Sequence, residues 1–174
     1  GDGLFETIRF QNGILFKPEK HLERLHSGLN LIQIELSKTD SELISILEEM
    51  IRQNNIPSGL LKLMITRGEI SGTPWNYTGN PNVYVCIRPF TAKPTKPVKV
   101  LFYSEKQYPI IRFNPAIKSL NYIGNMLAKK DAEKAGAFEP VFYNRENIIT
   151  ECAIRNIFFI KEKTLITPGL NLGV

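Results

Sequence analysis

The chain opens on "LFETIRFQNGILF", two β-rich runs placed either side of Asn12-Gly13. That dipeptide readily takes the positive φ angles of a type I′ turn, so the pattern predicts a β-hairpin. Pro18 can begin a helix at its first turn, and Leu22, Leu25, Leu29 and Ile32 follow at helical spacing, which predicts an amphipathic helix. Arg24 falls away from this leucine stripe, on the side shared by His21 and Gly28. A second helix is predicted over "TDSELISILEEMIRQNN", where Thr39 and Glu42 form a capping-box pattern and Leu43, Leu47, Met50 and Ile51 supply an apolar face. Asn54, Asn55 and Pro57 end it.

Two strands follow at "LKLMITR" and "NVYVCIRPF", separated by the turn-rich "GEISGTPWNYTGNP", an insert placed to border a pocket. "TAKPTKP" has the composition of a stiff connector. It divides the chain into an α+β domain over residues 1–92, a linker over 93–97 and a second domain over 98–174. That second domain reads as "VKVLFYS", a turn around Lys118, a helix started by "SLNY" and ended at Gly136, then "EPVFYN", "RENIITE", "NIFFIKE" and "TLITP" as short strands with hairpin turns. There is no internal repeat and no low-complexity segment.

Composition narrows the function classes. With 174 residues, 43% of them hydrophobic and 22% charged, the chain can bury a real core. No apolar run approaches the ~20 residues of a membrane-spanning helix, so membrane insertion is not expected. The net charge of +5 comes from scattered basic residues, which slightly favours small anionic ligands and says little about nucleic acid; with no interleaved basic-aromatic patch, a nucleic-acid partner is not expected. Cys86 and Cys152 lie in apolar surroundings with no CxxC pair and no signal peptide, so two buried thiols in a reducing compartment, the cytoplasm, are expected. Gly1 in place of Met, and the end at "NLGV" after a strand-like segment, read as a fragment truncated at both ends. His21 and His26 lack metal-ligand spacing, so no zinc site is expected.

Three residue types carry candidate chemistry. Lys118 follows the short apolar approach "NPAI". Partly desolvated at a strand end, its amine is a nucleophile or Schiff-base former; otherwise it is a surface lysine at a helix start. Glu151 sits between two apolar β-forming runs in "IITECAIRNIFF" and must find a cation or a hydrogen-bond donor. Arg155 is the nearby candidate, and an exposed strand-end glutamate is the other reading. Asn156 reads as a turn residue. Arg24 is either a fork for a phosphate or a solvated arginine on an amphipathic helix.

Taken jointly, "GDGLFETIR", "HLERL", "LMITRG", "IKSLNYIGNMLAKKDAEKAG" and "ITECAIRNIFFIKEKTLITP" resemble the class IV aminotransferases, the fold type IV group of pyridoxal-phosphate enzymes. That group includes branched-chain and D-amino-acid aminotransferases and aminodeoxychorismate lyase. The resemblance implies an α/β-sandwich N-terminal domain, an incomplete pseudo-barrel C-terminal domain, pyridoxal 5'-phosphate between them, and a homodimer. It implies that Lys118 holds the cofactor as a Schiff base and shuttles a proton, that Glu151 faces the pyridine nitrogen, and that Arg24 holds the phosphate. Tyr122 loosely matches a position near the cofactor's phenolic oxygen, and Asn156 matches the family's asparagine after the glutamate.

The reaction divides the subfamilies. D-amino-acid aminotransferases usually follow "TRG" with an arginine and a histidine that trap the substrate carboxylate, where this chain has Gly72 and Pro74. Branched-chain enzymes usually carry "FEGIR", where this chain has "FETIR". "LKLMITRG" and "FETIR" resemble the lyase branch. The leading expectation is amino-group transfer between an amino acid and a 2-oxo acid. The alternative is pyruvate elimination from aminodeoxychorismate to give 4-aminobenzoate, and a third reading is a non-catalytic relative.

Overall fold

The computed structural model describes residues 1–73, 75–76, 79–91 and 93–174. Pro74, within the predicted insert, and Ala92, at the predicted boundary, lie outside the described residues. The chain divides into two compact units, Gly1–Ala92 with Ile117–Leu120, and Lys93–Ala116 with Asn121–Val174.

In the first unit β1 (Gly3–Gln11) turns through Asn12 and Gly13, at φ 51° and 79°, into β2 (Ile14–Leu15). Both turn residues have the positive φ of a type I′ hairpin. Helix α1 (Pro18–Leu31) and helix α2 (Asp40–Asn54) follow, then β3 (Ser58–Thr66) and β4 (Asn82–Pro89). The capping box forms as predicted: the Glu42 amide donates to the Thr39 hydroxyl oxygen and the Thr39 amide donates to the Glu42 carboxylate. The strands make one antiparallel sheet in the order β2-β1-β3-β4.

Strand alternation sorts the side chains. Leu4, Ile8 and Phe10 of β1 and Leu61, Leu63 and Ile65 of β3 meet Leu22, Leu25 and Leu29 of α1 and Leu43, Leu47 and Ile51 of α2 in one core. Each such leucine removed from water contributes about 1.5–3 kcal/mol, which makes this face of the sheet the anchor of the unit. Cys86 falls on the alternate positions of β4 and is exposed, contrary to the expected burial, while Cys152 is buried. The apolar neighbours of Cys86 in sequence point to the other face.

Ile117–Leu120 joins the first unit because it extends the edge of β1. The Phe5 amide donates to the Lys118 carbonyl at 2.8 Å and the Leu120 amide donates to the Gly3 carbonyl at 2.9 Å. Leu4 and Ser119 pair as an antiparallel bridge. A linear boundary at the connector does not convey this exchange.

In the second unit β5 (Val100–Ser104) and β6 (Glu139–Tyr143) are parallel, and α3 (Ile123–Lys134) lies between them in sequence. A parallel pair needs a crossover, and the segment from 105 to 138 supplies it. The helix begins at Ile123 with Tyr122 as its N-cap, later than the expected start at "SLNY", because Ser119 and Leu120 are committed to β1. It ends as predicted before Gly136, at φ 71°. β7 (Ile149–Cys152) pairs antiparallel with β6, and β8 (Phe159–Lys161) forms a separate hairpin with β9 (Thr164–Ile166). Phe142, Ala128, Ala153 and Tyr108 form a small core.

Candidate active site

Lys118 sits in the first unit on an irregular, partly buried segment, tied to β1 by the backbone bonds just described. Its Nζ lies over the Phe5 ring, 5.3 Å from the centroid. Lys62 places its own Nζ 4.4 Å from the same centroid. The register explains this: Phe5 pairs with Met64 and Thr7 with Lys62, so Phe5 and Lys62 are diagonal neighbours on the face of the sheet away from the helices.

The opposite face of β1 carries the other functional group of this unit. Glu6 alternates with Leu4 and Ile8 on the core side and is 1% exposed, a carboxylate among leucines. Three donors converge on it. Arg24 Nε donates to Oε1 and Nη2 to Oε2, both at 2.7 Å, and His21 Nδ1 donates to Oε2 at 2.8 Å. His21 and Arg24 are one helical turn apart on α1, which places both over one residue of the strand. Burial works to raise the Glu6 carboxyl, but the bonds from Arg24 and His21 outweigh it and hold it below the ordinary carboxylate range. Arg24 is therefore neither isolated nor merely solvated. Glu6 takes the side-on edge of its guanidinium, and the end-on Nη1 has no bond among the described residues.

In the second unit Glu151 lies on β7, its side chain 27% exposed. Its cation is Arg112, whose Nη1 donates to Glu151 Oε1, and not Arg155, which pairs with the buried Glu139. The chain direction explains the exchange: Arg155 lies past the end of β7, where Glu139 also takes the Ile154 amide at 3.0 Å. Arg112 bonds Glu105 as well, and Thr150 donates its hydroxyl to Glu105 at 2.7 Å. One guanidinium between two carboxylates leaves the cluster one negative charge in excess. Desolvation pulls the Arg112 guanidinium down, but Glu151 and Glu105 together hold it above its ordinary value.

Tyr122 is partly buried, and burial, with the charges of Glu151 and Glu139, pushes its phenol up to about 12. It keeps its proton at neutral pH. Asn156 is exposed on the irregular segment after β7.

Each unit thus gathers part of the set. Lys118 and Arg24 belong to the first, Glu151, Tyr122 and Asn156 to the second. Sequence reasoning passed over Glu6, Arg112 and Lys62. For Glu6 a signal existed, since its alternation with Leu4 and Ile8 puts a carboxylate on a core face. Arg112 stands in "YPIIRFNP", a stretch with no acidic residue, and only the fold brings it to Glu151.

Known proteins can now be set beside this arrangement. The family described as amino-transferase class IV matches residues 3–174. A Methanocaldococcus jannaschii protein assigned as a branched-chain-amino-acid aminotransferase is 33% identical, the match covering 97% of this chain and 59% of that protein. The D-alanine aminotransferase of Staphylococcus epidermidis is 34% identical, the match covering 98% of this chain and 61% of that protein. A Legionella pneumophila structure assigned as a 4-amino-4-deoxychorismate lyase superposes with a TM-score of 0.88 at 25% identity, covering all of this chain and 64% of that one. The chain therefore spans about six tenths of the length of these relatives. It belongs to the class IV aminotransferase family, the fold type IV group of pyridoxal-phosphate enzymes.

Proposed function

We propose that this chain carries the cofactor-binding groups of an aminotransferase that moves an amino group between an amino acid and a 2-oxo acid, using pyridoxal 5'-phosphate. The observation that carries the reading is the seating of Lys118: its carbonyl accepts the Phe5 amide of β1, the following Ser119 bridges Leu4, and its amine stands over Phe5. The donor types fit the cofactor. An amine suits its aldehyde, a guanidinium with an unbonded end-on edge suits its phosphate, and a carboxylate in a cluster with excess negative charge suits a protonated pyridine nitrogen. Lys118 and Arg24 lie in one unit and Glu151 in the other, and the reading requires that all three serve one cofactor.

The bound cofactor supplies an electron sink for the pair left when the substrate's Cα–H bond breaks. Lys118 Nζ would hold the aldehyde end of the cofactor and, when its amine is free, would serve as the base that moves the proton of the substrate's Cα. Glu151 accepts the hydrogen bond of the protonated ring nitrogen and keeps that proton in place. Arg24 would hold the phosphate. Tyr122, protonated at working pH, would donate to the phenolic oxygen, and Asn156 stands after Glu151 where the family has its asparagine. The reading carries a homodimeric, cytoplasmic enzyme as further expectations.

The lyase is the second reading, favoured by the likeness to the Legionella structure. The intact protein is mixed with pyridoxal 5'-phosphate, reduced with borohydride and peptide-mapped. An adduct on Lys118 is expected, followed by amino transfer from members of a panel of L- and D-amino acids. An adduct with no transfer, but with pyruvate and 4-aminobenzoate from aminodeoxychorismate, selects the lyase. No adduct at Lys118 defeats both and leaves a non-catalytic relative.

A further inference from the structure

Glu6 has no part in the chemistry just described, yet it is the most completely buried charge of the first unit and takes three donors. Its two bonds from Arg24 occupy Nε and Nη2, one edge of a planar fork with five N–H groups. A guanidinium gripped along that edge cannot swing about its long side chain, and its end-on edge is presented in one fixed direction. His21 adds a third bond and keeps the carboxylate itself from rotating. All three groups ride on the packed pair of β1 and α1, whose leucines are buried.

Resting on the pyridoxal-phosphate reading, we propose that Glu6 is the positioning residue of the phosphate site, aiming Arg24 at the phosphate while His21 steadies Glu6. Held this way, the arginine loses little further freedom when it binds an anion, and that saved ordering appears as affinity. Glu6 acts only through Arg24, so its effect is confined to ligands that carry a phosphate.

The test compares two ligands, pyridoxal 5'-phosphate and pyridoxal, by equilibrium titration of the intact apo-protein. Binding is followed by absorbance, without any activity readout. In Glu6→Gln the affinity for the phosphate ester is expected to fall about tenfold or more, and that for pyridoxal by about twofold at most, the loss tracking one or two charge-assisted bonds. Glu6→Asp keeps the charge but shortens the reach by one methylene, and is expected to lose the same selectivity. It serves as the second variant should Glu6→Gln fail to fold. In an Arg24→Lys background, which lacks the fork, Glu6→Gln is expected to add nothing.

Equal weakening of both ligands, or no weakening of either, overturns the role of Glu6. Full additivity with Arg24→Lys overturns the route through Arg24. A native protein that binds neither ligand fails the cofactor reading itself, an outcome distinct from these, because the inference fails only where native selectivity for the phosphate ester exists and Glu6 does not control it.

Discussion

The Glu6–Arg24–His21 cluster makes an asymmetric prediction about stability. Glu6 is 1% exposed, whereas the Arg24 side chain is 47% exposed. Removing Arg24 strands a charge that water cannot reach, while removing the charge of Glu6 strands one that water can. Breaking a buried pair by deleting one partner costs about 3–5 kcal/mol. With His21 still bonded to Glu6, Arg24→Met is expected to cost about 2–4 kcal/mol at neutral pH. Glu6→Gln keeps an acceptor for one N–H and lets Arg24 rehydrate, so its cost is expected near 1–2 kcal/mol, about one charged hydrogen bond. Urea unfolding measures both as shifts in midpoint at unchanged slope. The pH dependence follows from the depressed Glu6 carboxyl. A carboxyl held below its ordinary range in the fold contributes stability that is present above that range and lost as pH falls through the folded value. In Arg24→Met the largest opposing bonds are gone, burial dominates, and Glu6 takes up its proton at higher pH. The gap between native protein and Arg24→Met is therefore expected to shrink as pH falls from neutral into the acid range. A Glu6→Gln cost equal to or above that of Arg24→Met, or a gap that does not move with pH, would rule out a stranded Glu6 charge as the cause.

Three further outcomes are expected. A Cβ at Gly28 would stand 2.6 Å from Leu4 Cδ1 and 3.2 Å from Ile117 Cγ2. Gly28→Ala should thus lose about 1–3 kcal/mol to overpacking against the ~1 kcal/mol gained in helix propensity, lowering the urea midpoint and slowing trapping at Lys118, the neighbour of Ile117. Glu139 is 2% exposed and takes Arg155 and the Ile154 amide, so Glu139→Ala should cost about 3 kcal/mol, read by thermal unfolding. Burial, with Glu139 and Glu151, pushes the Cys152 thiol up to about 11, so in the native protein a thiol reagent should modify the exposed Cys86 and reach Cys152 only after denaturant is added.

What was legible in the sequence was local. Asn12-Gly13, Pro18, the Thr39–Glu42 box and Gly136 each settle a few φ angles or orphan amides by themselves, and each held. The partners of charged residues were not legible, because they are assigned by sheet register and by segments far apart in sequence. Glu151 finds Arg112 thirty-nine positions away, not Arg155 four away. The start of α3 moved for the same reason: the bonds of Leu120 and Lys118 to β1 are long-range, and they outrank the helix-forming tendency of the residues that follow. Cys86 shows the limit of composition, since apolar neighbours on a strand occupy the opposite face.

One strand is the common ruler for the groups of the first unit. β1 bonds β3 along its whole length, β2 at one end and Lys118–Leu120 at the other, with Glu6 facing Arg24 and the adjacent Phe5 facing Lys118. A slip of one residue would send both side chains to the wrong faces at once. Inserted residues should therefore be tolerated at the exposed Asn12-Gly13 turn and rejected anywhere from Leu4 to Phe10. Thermal motion of the strand acts on Lys118 and Arg24 together through these contacts, so if the two serve the aldehyde and the phosphate as proposed, their spacing holds as long as the sheet does.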